Sequence, residues 1–139
     1  MFAALAVLSA TGAGAEEVGA GVLALGQSLY AENCASCHGA KLEGQPDWKR
    51  RLANGRMPAP PHDASGHSWH HSDDELFRLT KEGVAAVAGG GYESDMPAFA
   101  GKLSDDEIRA VLSYIKSTWP ERQRETQAGI SGKSEEASP

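Results

Sequence analysis

The chain has 139 residues, 40% of them hydrophobic and 6% aromatic, with a formal charge of −6, which allows one modest core and not two. An acidic balance without a basic stripe argues against a nucleic-acid-binding protein. Sixteen glycines and seven prolines, most of them mid-chain, require irregular loops held by something other than helix or sheet ladders, as a bound cofactor would hold them.

Residues 1–15, MFAALAVLSATGAGA, are uncharged, with an apolar run from Phe2 to Leu8 and a small-x-small stretch, Ala13-Gly14-Ala15, ahead of Glu16. The pattern predicts a secretory signal cleaved before Glu16, although the usual positive start is missing. The apolar run falls well short of the roughly 20 residues that span a bilayer. Residues 16–119 are expected to form the domain and residues 120–139 a flexible polar tail with one large aliphatic residue, Ile130. The first helix is expected over Val22–Asn33, with Val22, Leu25 and Leu29 beside Gly26 and Tyr30, and it runs straight into Cys34.

Cys34 and Cys37 are the only cysteines, followed at once by His38. A structural zinc site wants four ligands, commonly two C-x-x-C pairs or C-x-x-C with H-x-x-x-H, and no second cysteine pair exists here. A thiol-disulfide oxidoreductase places its C-x-x-C after a strand, in a βαβ context this sequence lacks. A two-residue disulfide loop leaves His38 unexplained. The remaining reading is C-x-x-C-H, a c-type haem attachment signal. Two thiols three residues apart on a helical turn can each add to a vinyl group on one side of a porphyrin, and the next residue brings an imidazole under the iron.

Further along, Lys49, Arg50, Arg51 and Arg56 read as a solvated basic loop. His62, His67, His70 and His71 crowd into HDASGHSWHH, read as a polar loop leading to a helix cap, with a second metal site or a histidine sixth ligand as the alternatives. Ser72-Asp-Asp-Glu75 is a capping box opening a helix with Leu76, Phe77 and Leu79 on its apolar side and Gly83 past its end. Gly89, Gly90 and Gly91 have no following helix start, so they do not cradle a phosphate. A second box, Ser104-Asp-Asp-Glu107, opens the last helix, in which Ile108, Val111, Leu112, Ile115 and Trp119 recur at helical spacing until Pro120.

Gly26 with Tyr30 ahead of CASCH, Met96-Pro-Ala-Phe99, and IRAVLSYIKSTW from Ile108 to Trp119 together resemble a class I mono-haem cytochrome c of the small exported bacterial kind, over roughly Gly21 to Trp119. The resemblance implies an all-α fold, with N- and C-terminal helices crossing at Gly26 and loops wrapping one haem c bound covalently through two thioethers. It implies thioethers at Cys34 and Cys37, His38 as proximal ligand, and Pro46 as the residue whose carbonyl accepts the His38 Nδ1–H bond. Met57 and Met96 both precede proline and either could turn a thioether to iron. Met96 is favoured, because the chain must travel round the haem edge before returning over the opposite face, and the resemblance agrees. Arg51 and Trp69 are the expected donors to the haem propionates.

The implied function is one-electron transfer in the periplasm by a monomer that is not an enzyme. Redox partner proteins with basic docking surfaces are expected, and membrane association is not required. The alternatives are a haem enzyme or gas-binding protein with a labile sixth ligand, or the electron-entry subunit of a larger dehydrogenase or oxidase.

Overall fold

The computed structural model describes residues 13–138. Its elements in chain order are α1 (Ala13–Asn33), α2 (Ala35–His38), a 3₁₀ turn (Ser68–His70), α3 (Asp73–Glu82), α4 (Val84–Ala88), α5 (Asp105–Ser117) and α6 (Glu121–Ala137), with no strand among the described residues. The expected all-α class is the class observed.

Helix α1 begins at Ala13 rather than Val22, so the backbone across the expected cleavage point before Glu16 is helical. Residues 1–12 of the expected signal lie outside the described residues. The helix packs across α5, and the reason is local. A Cβ on Gly26 would lie 2.6 Å from the carbonyl carbon of Ala110 and 2.9 Å from Tyr114 Cβ, so only glycine lets the two backbones meet. Leu29 and Tyr30 from α1 then join Ile108, Val111, Ile115 and Trp119 in one buried core with Leu42, Leu76, Phe99 and Leu103. Each large apolar side chain removed from water there contributes about 1.5–3 kcal/mol. Tyr30 meets Tyr114 with ring centroids 5.7 Å apart.

The two acidic boxes behave differently. Ser104 and Glu107 form the full reciprocal cap of α5: Glu107 N–H donates to Ser104 Oγ at 3.2 Å and Ser104 N–H to Glu107 Oε2 at 2.8 Å. At α3 only half of the box forms. Glu75 N–H donates to Ser72 Oγ, but the Glu75 carboxylate has turned to His71, whose Nδ1 lies 3.0 Å from Oε2. An imidazole one residue ahead of the cap competes for the carboxylate and wins.

The expectation of a flexible tail after Pro120 is corrected. Pro120 ends the α5 segment and its carbonyl then receives the N–H groups of Gln123 and Arg124, opening α6. That helix folds back onto the 3₁₀ turn and the start of α3 through polar groups. Ser131 Oγ accepts from Asp73 N–H at 2.9 Å. Gln127, 1% exposed, donates to the Asp73 carboxylate at 2.7 Å and to the His71 carbonyl at 3.3 Å. Buried hydrogen-bonded side chains do for this contact what apolar ones do between α1 and α5.

Candidate haem-binding site

Helix α1 hands the chain to Cys34, whose N–H still donates to Tyr30 O at 2.9 Å, and α2 carries Cys37 and His38 through one further turn. Both cysteines are free thiols; Cys34 is half-buried against the core and Cys37 is exposed. Burial, with the neighbouring Cys37 adding to it, pushes the Cys34 thiol up to about 11, so it stays protonated at neutral pH. That is the opposite of the depressed value of a redox-active thiolate. Among the described residues, no three histidine, cysteine or carboxylate side chains are grouped to hold a metal ion.

His38 is buried, and its Nδ1 lies 2.8 Å from the carbonyl oxygen of Pro60. A carbonyl only accepts, so Nδ1 carries the proton and Nε2 keeps its lone pair. Burial lowers the His38 pKa against the opposing pull of the Pro60 bond, so the ring is neutral at pH 7. Neutral, Nδ1-protonated and oriented by a carbonyl is the form in which an imidazole ligates through Nε2. The carbonyl partner is thus Pro60; the expectation of Pro46 is corrected.

Pro60 reaches His38 because glycines clear its path. A Cβ on Gly44, which has φ +69°, would collide with Pro61 N and sit 2.7 Å from Pro60 C, and one on Gly66 would strike the Pro61 carbonyl. Gly44 N–H donates to His38 O at 2.7 Å and His62 N–H to Leu42 O at 2.8 Å. Leu42 itself is buried at φ +62°, a conformation that costs a branched residue about 1 kcal/mol and puts its carbonyl within reach of both His62 and Asp63 N–H groups. The Tyr30 hydroxyl donates to Gly39 O at 2.8 Å, closing the loop on α1.

Later in the chain, Met96 is half-buried and packs against the same core as Cys34 and Ala35. Its loop is pinned to the end of α3 by Phe99 N–H to Thr80 O at 3.1 Å and Ala100 N–H to Lys81 O at 3.0 Å, with Phe99 buried. Gly83, at φ +88°, lies against Ala98. Asp95, next to Met96, pairs with Arg56, which also faces Glu93 at 3.8 Å. One residue of the basic loop thus ties residues 50–56 to the methionine segment. Met57 is half-buried and is not among the residues packed on the core.

Other expected residues are placed differently. The Trp69 indole N–H donates to the Ala64 and Gly66 carbonyls at 3.3 and 3.1 Å, bonds it would have to give up to serve a propionate. Arg51 donates to Gly55 O at 2.8 Å and lines, with Pro46, Asp47, Arg50, Leu52 and Pro58, a cleft of about 240 Å³. Pro46 and Arg51 therefore share a place, and the Nδ1 partner of His38 is neither of them. His62 was read with the polar loop, yet its ring stacks on His38 at 3.9 Å between centroids, 29° from parallel. The signal was there in PAPPH: two prolines fix an extended run that delivers the next residue beside the first proline's target.

The donor set fits a covalently bound haem. Two free thiols stand three residues apart, a neutral imidazole has its Nε2 free, and a thioether lies in the same core. All-α, with α1 and α5 crossing at a glycine and C-x-x-C-H on the turn after the first helix, the molecule is built as a class I mono-haem cytochrome c.

The comparisons agree. The family model Cytochrome c matches residues 23–119, and the chain belongs to that family. It is 32% identical over 103 residues to a cytochrome c6 of Diacronema lutheri, covering 70% of this chain and 96% of that protein. It is 33% identical over 113 residues to the Cbb3-type cytochrome c oxidase subunit CcoP of Azospirillum sp. (strain B510), and 30% over 96 residues to FixP of Bradyrhizobium sp. (strain ORS 278). These cover 78% and 68% of this chain, which spans only 32% and 27% of the oxidase subunits' own length. No solved structure matches.

Proposed function

We propose that this protein is a one-electron carrier, not an enzyme, with one haem c held by Cys34 and Cys37 and ligated by His38 and Met96. The observation that carries the reading is the oriented, neutral His38 on the turn with the two free thiols. When bound, the haem supplies reversible Fe(III)/Fe(II) chemistry, and a closed His/thioether pair keeps dioxygen and peroxide from the iron. The chain's own work is to hold geometry. The Pro60 carbonyl and the loops at Gly44 and Gly66 keep His38 at one angle, and the α3 contacts of Phe99 and Ala100 keep Met96 in the core. A thioether is a soft, weak donor that favours Fe(II), so the potential lies well above that of a bis-histidine site.

The apolar, uncharged residues 1–15 with Ala13-Gly14-Ala15 support export to the periplasm. Among the described residues no helix is long and apolar enough to cross a membrane. The acidic balance, −6, supports redox partners with basic docking surfaces and association that weakens with salt. The matches to CcoP and FixP support a second reading, in which the chain serves as an electron-entry module of an oxidase. Gel filtration of native material separates a free monomer from such an assembly.

The ligand assignment is tested by Met96→Ala beside Met57→Ala. The expected result is loss of the low-spin spectrum in the first and its retention in the second. The reverse pattern refutes the choice of Met96.

A further inference from the structure

The Nδ1 bond to Pro60 O fixes the tautomer of the His38 ring and its direction in the ring plane, and contact on the ring face adds to that restraint. His62 provides a second restraint by stacking on that ring at 3.9 Å, and His62 is itself held on three sides. Its Nδ1 lies 2.8 Å from Ser68 Oγ, its N–H donates to Leu42 O at 2.8 Å, and its carbonyl accepts from Trp119 Nε1 at 2.7 Å. Ser68 and Trp119 are buried, 7% and 1% exposed, and Tyr30 meets the His62 ring edge-on at 6.4 Å. Main-chain bonds thus place the residue, and the side chain is left to act on His38.

We infer that His62 is a positioning residue for the proximal ligand, setting the plane and the local polarity of the His38 imidazole and thereby the reduction potential. The inference rests on the haem-binding reading above. A leucine at this position would fill similar space but would offer no flat face to stack and no dipole. A neutral imidazole beside the ligand stabilises the more positive oxidised site better than an aliphatic side chain does. Ser68 Oγ, able to donate or to accept, holds the His62 ring at Nδ1. Trp119 couples its backbone to the end of the α5 segment, so the ring on His38 is anchored to the same core that joins α1 and α5.

The test compares holoprotein of the wild type, His62→Leu and Ser68→Ala by redox titration and by proton NMR of the oxidised form, where the spread of haem methyl shifts reports the axial imidazole plane. The expected result is a higher potential and an altered spread in His62→Leu with the low-spin absorption spectrum kept, and a smaller change of the same sign in Ser68→Ala. Unchanged potential and methyl shifts in both variants overturn the inference. Should His62→Leu yield no holoprotein, Ser68→Ala decides alone: a raised potential supports the role and an unchanged one overturns it. A wild-type protein without covalent haem, or without a ligated His38, brings down the underlying reading instead and is seen before any variant is made.

Discussion

The two sides of the site are built by different means. His38 sits in a frame of short main-chain bonds, with Pro60 and Gly44 bonded to it and Leu42 holding His62, and glycines at 44 and 66 leave no spare volume. Met96 sits on a loop that follows three glycines of positive φ, 89 to 91, and is tied down at Asp95 by an exposed ion pair and at Phe99 and Ala100 by two bonds to α3. A frame of buried backbone bonds and tight contacts resists displacement far more than exposed charges do. Under the proposed ligation, His38 is the fixed ligand and Met96 the one that local opening releases first.

Substitutions on the two sides break or sharpen this contrast. The largest effect is expected from Gly66→Ala, whose Cβ strikes the Pro61 carbonyl and must push the proximal loop off His38. It should cost about 3 kcal/mol in denaturant unfolding of the holoprotein. Trp119→Phe removes the donor to His62 O and leaves that carbonyl unpaired beside the core, costing about 2 kcal/mol by the same measurement. Gln127→Ala lies away from both ligands and should cost about 1 kcal/mol by leaving Ser131 and the His71 carbonyl short of a partner, with the absorption spectrum unmoved. The smallest change in unfolding is expected from Arg56→Gln, since the pair is exposed; its mark is instead faster displacement of Met96 by added imidazole. An unfolding loss in Arg56→Gln equal to that of Gly66→Ala would erase the contrast.

The contact of α6 with α3 adds a pH dependence. Burial raises the Asp73 pKa, but hydrogen bonds from Lys116 and Gln127 outweigh it, and the net direction is down. A carboxylate held below its unfolded value contributes stability that is fully present above that value and is lost as pH falls through the folded one. An acid titration of unfolding free energy should therefore show a loss below about pH 4 that Asp73→Asn lacks.

Much of this was readable in the sequence, and what was not has physical reasons. The α1–α5 crossing was legible because apolar residues at helical spacing and a glycine facing Ala110 leave a pattern in one dimension. Helix α6 was not, since it docks through Gln127 and Ser131, and a buried hydrogen bond writes no hydrophobic period. C-x-x-C-H fixed the place of both thiols and the imidazole. Spacing from His38 could not distinguish Pro46 from Pro60, because the choice is made by a loop that returns through the φ +69° turn at Gly44. Glu75 shows the same limit on a smaller scale: the box motif was present, but a rival partner at His71 lay one residue outside it.

The central claim, a fixed His38 and a bound Met96 closing the iron, is tested most directly by the optical spectrum of the holoprotein, oxidised and reduced, before and after carbon monoxide. The account predicts a low-spin spectrum with the weak far-red band of sulfur bound to ferric iron, unmoved by carbon monoxide. A high-spin oxidised form, or a reduced form that binds carbon monoxide readily, would contradict it and turn the site into an open one fit for ligand binding or catalysis.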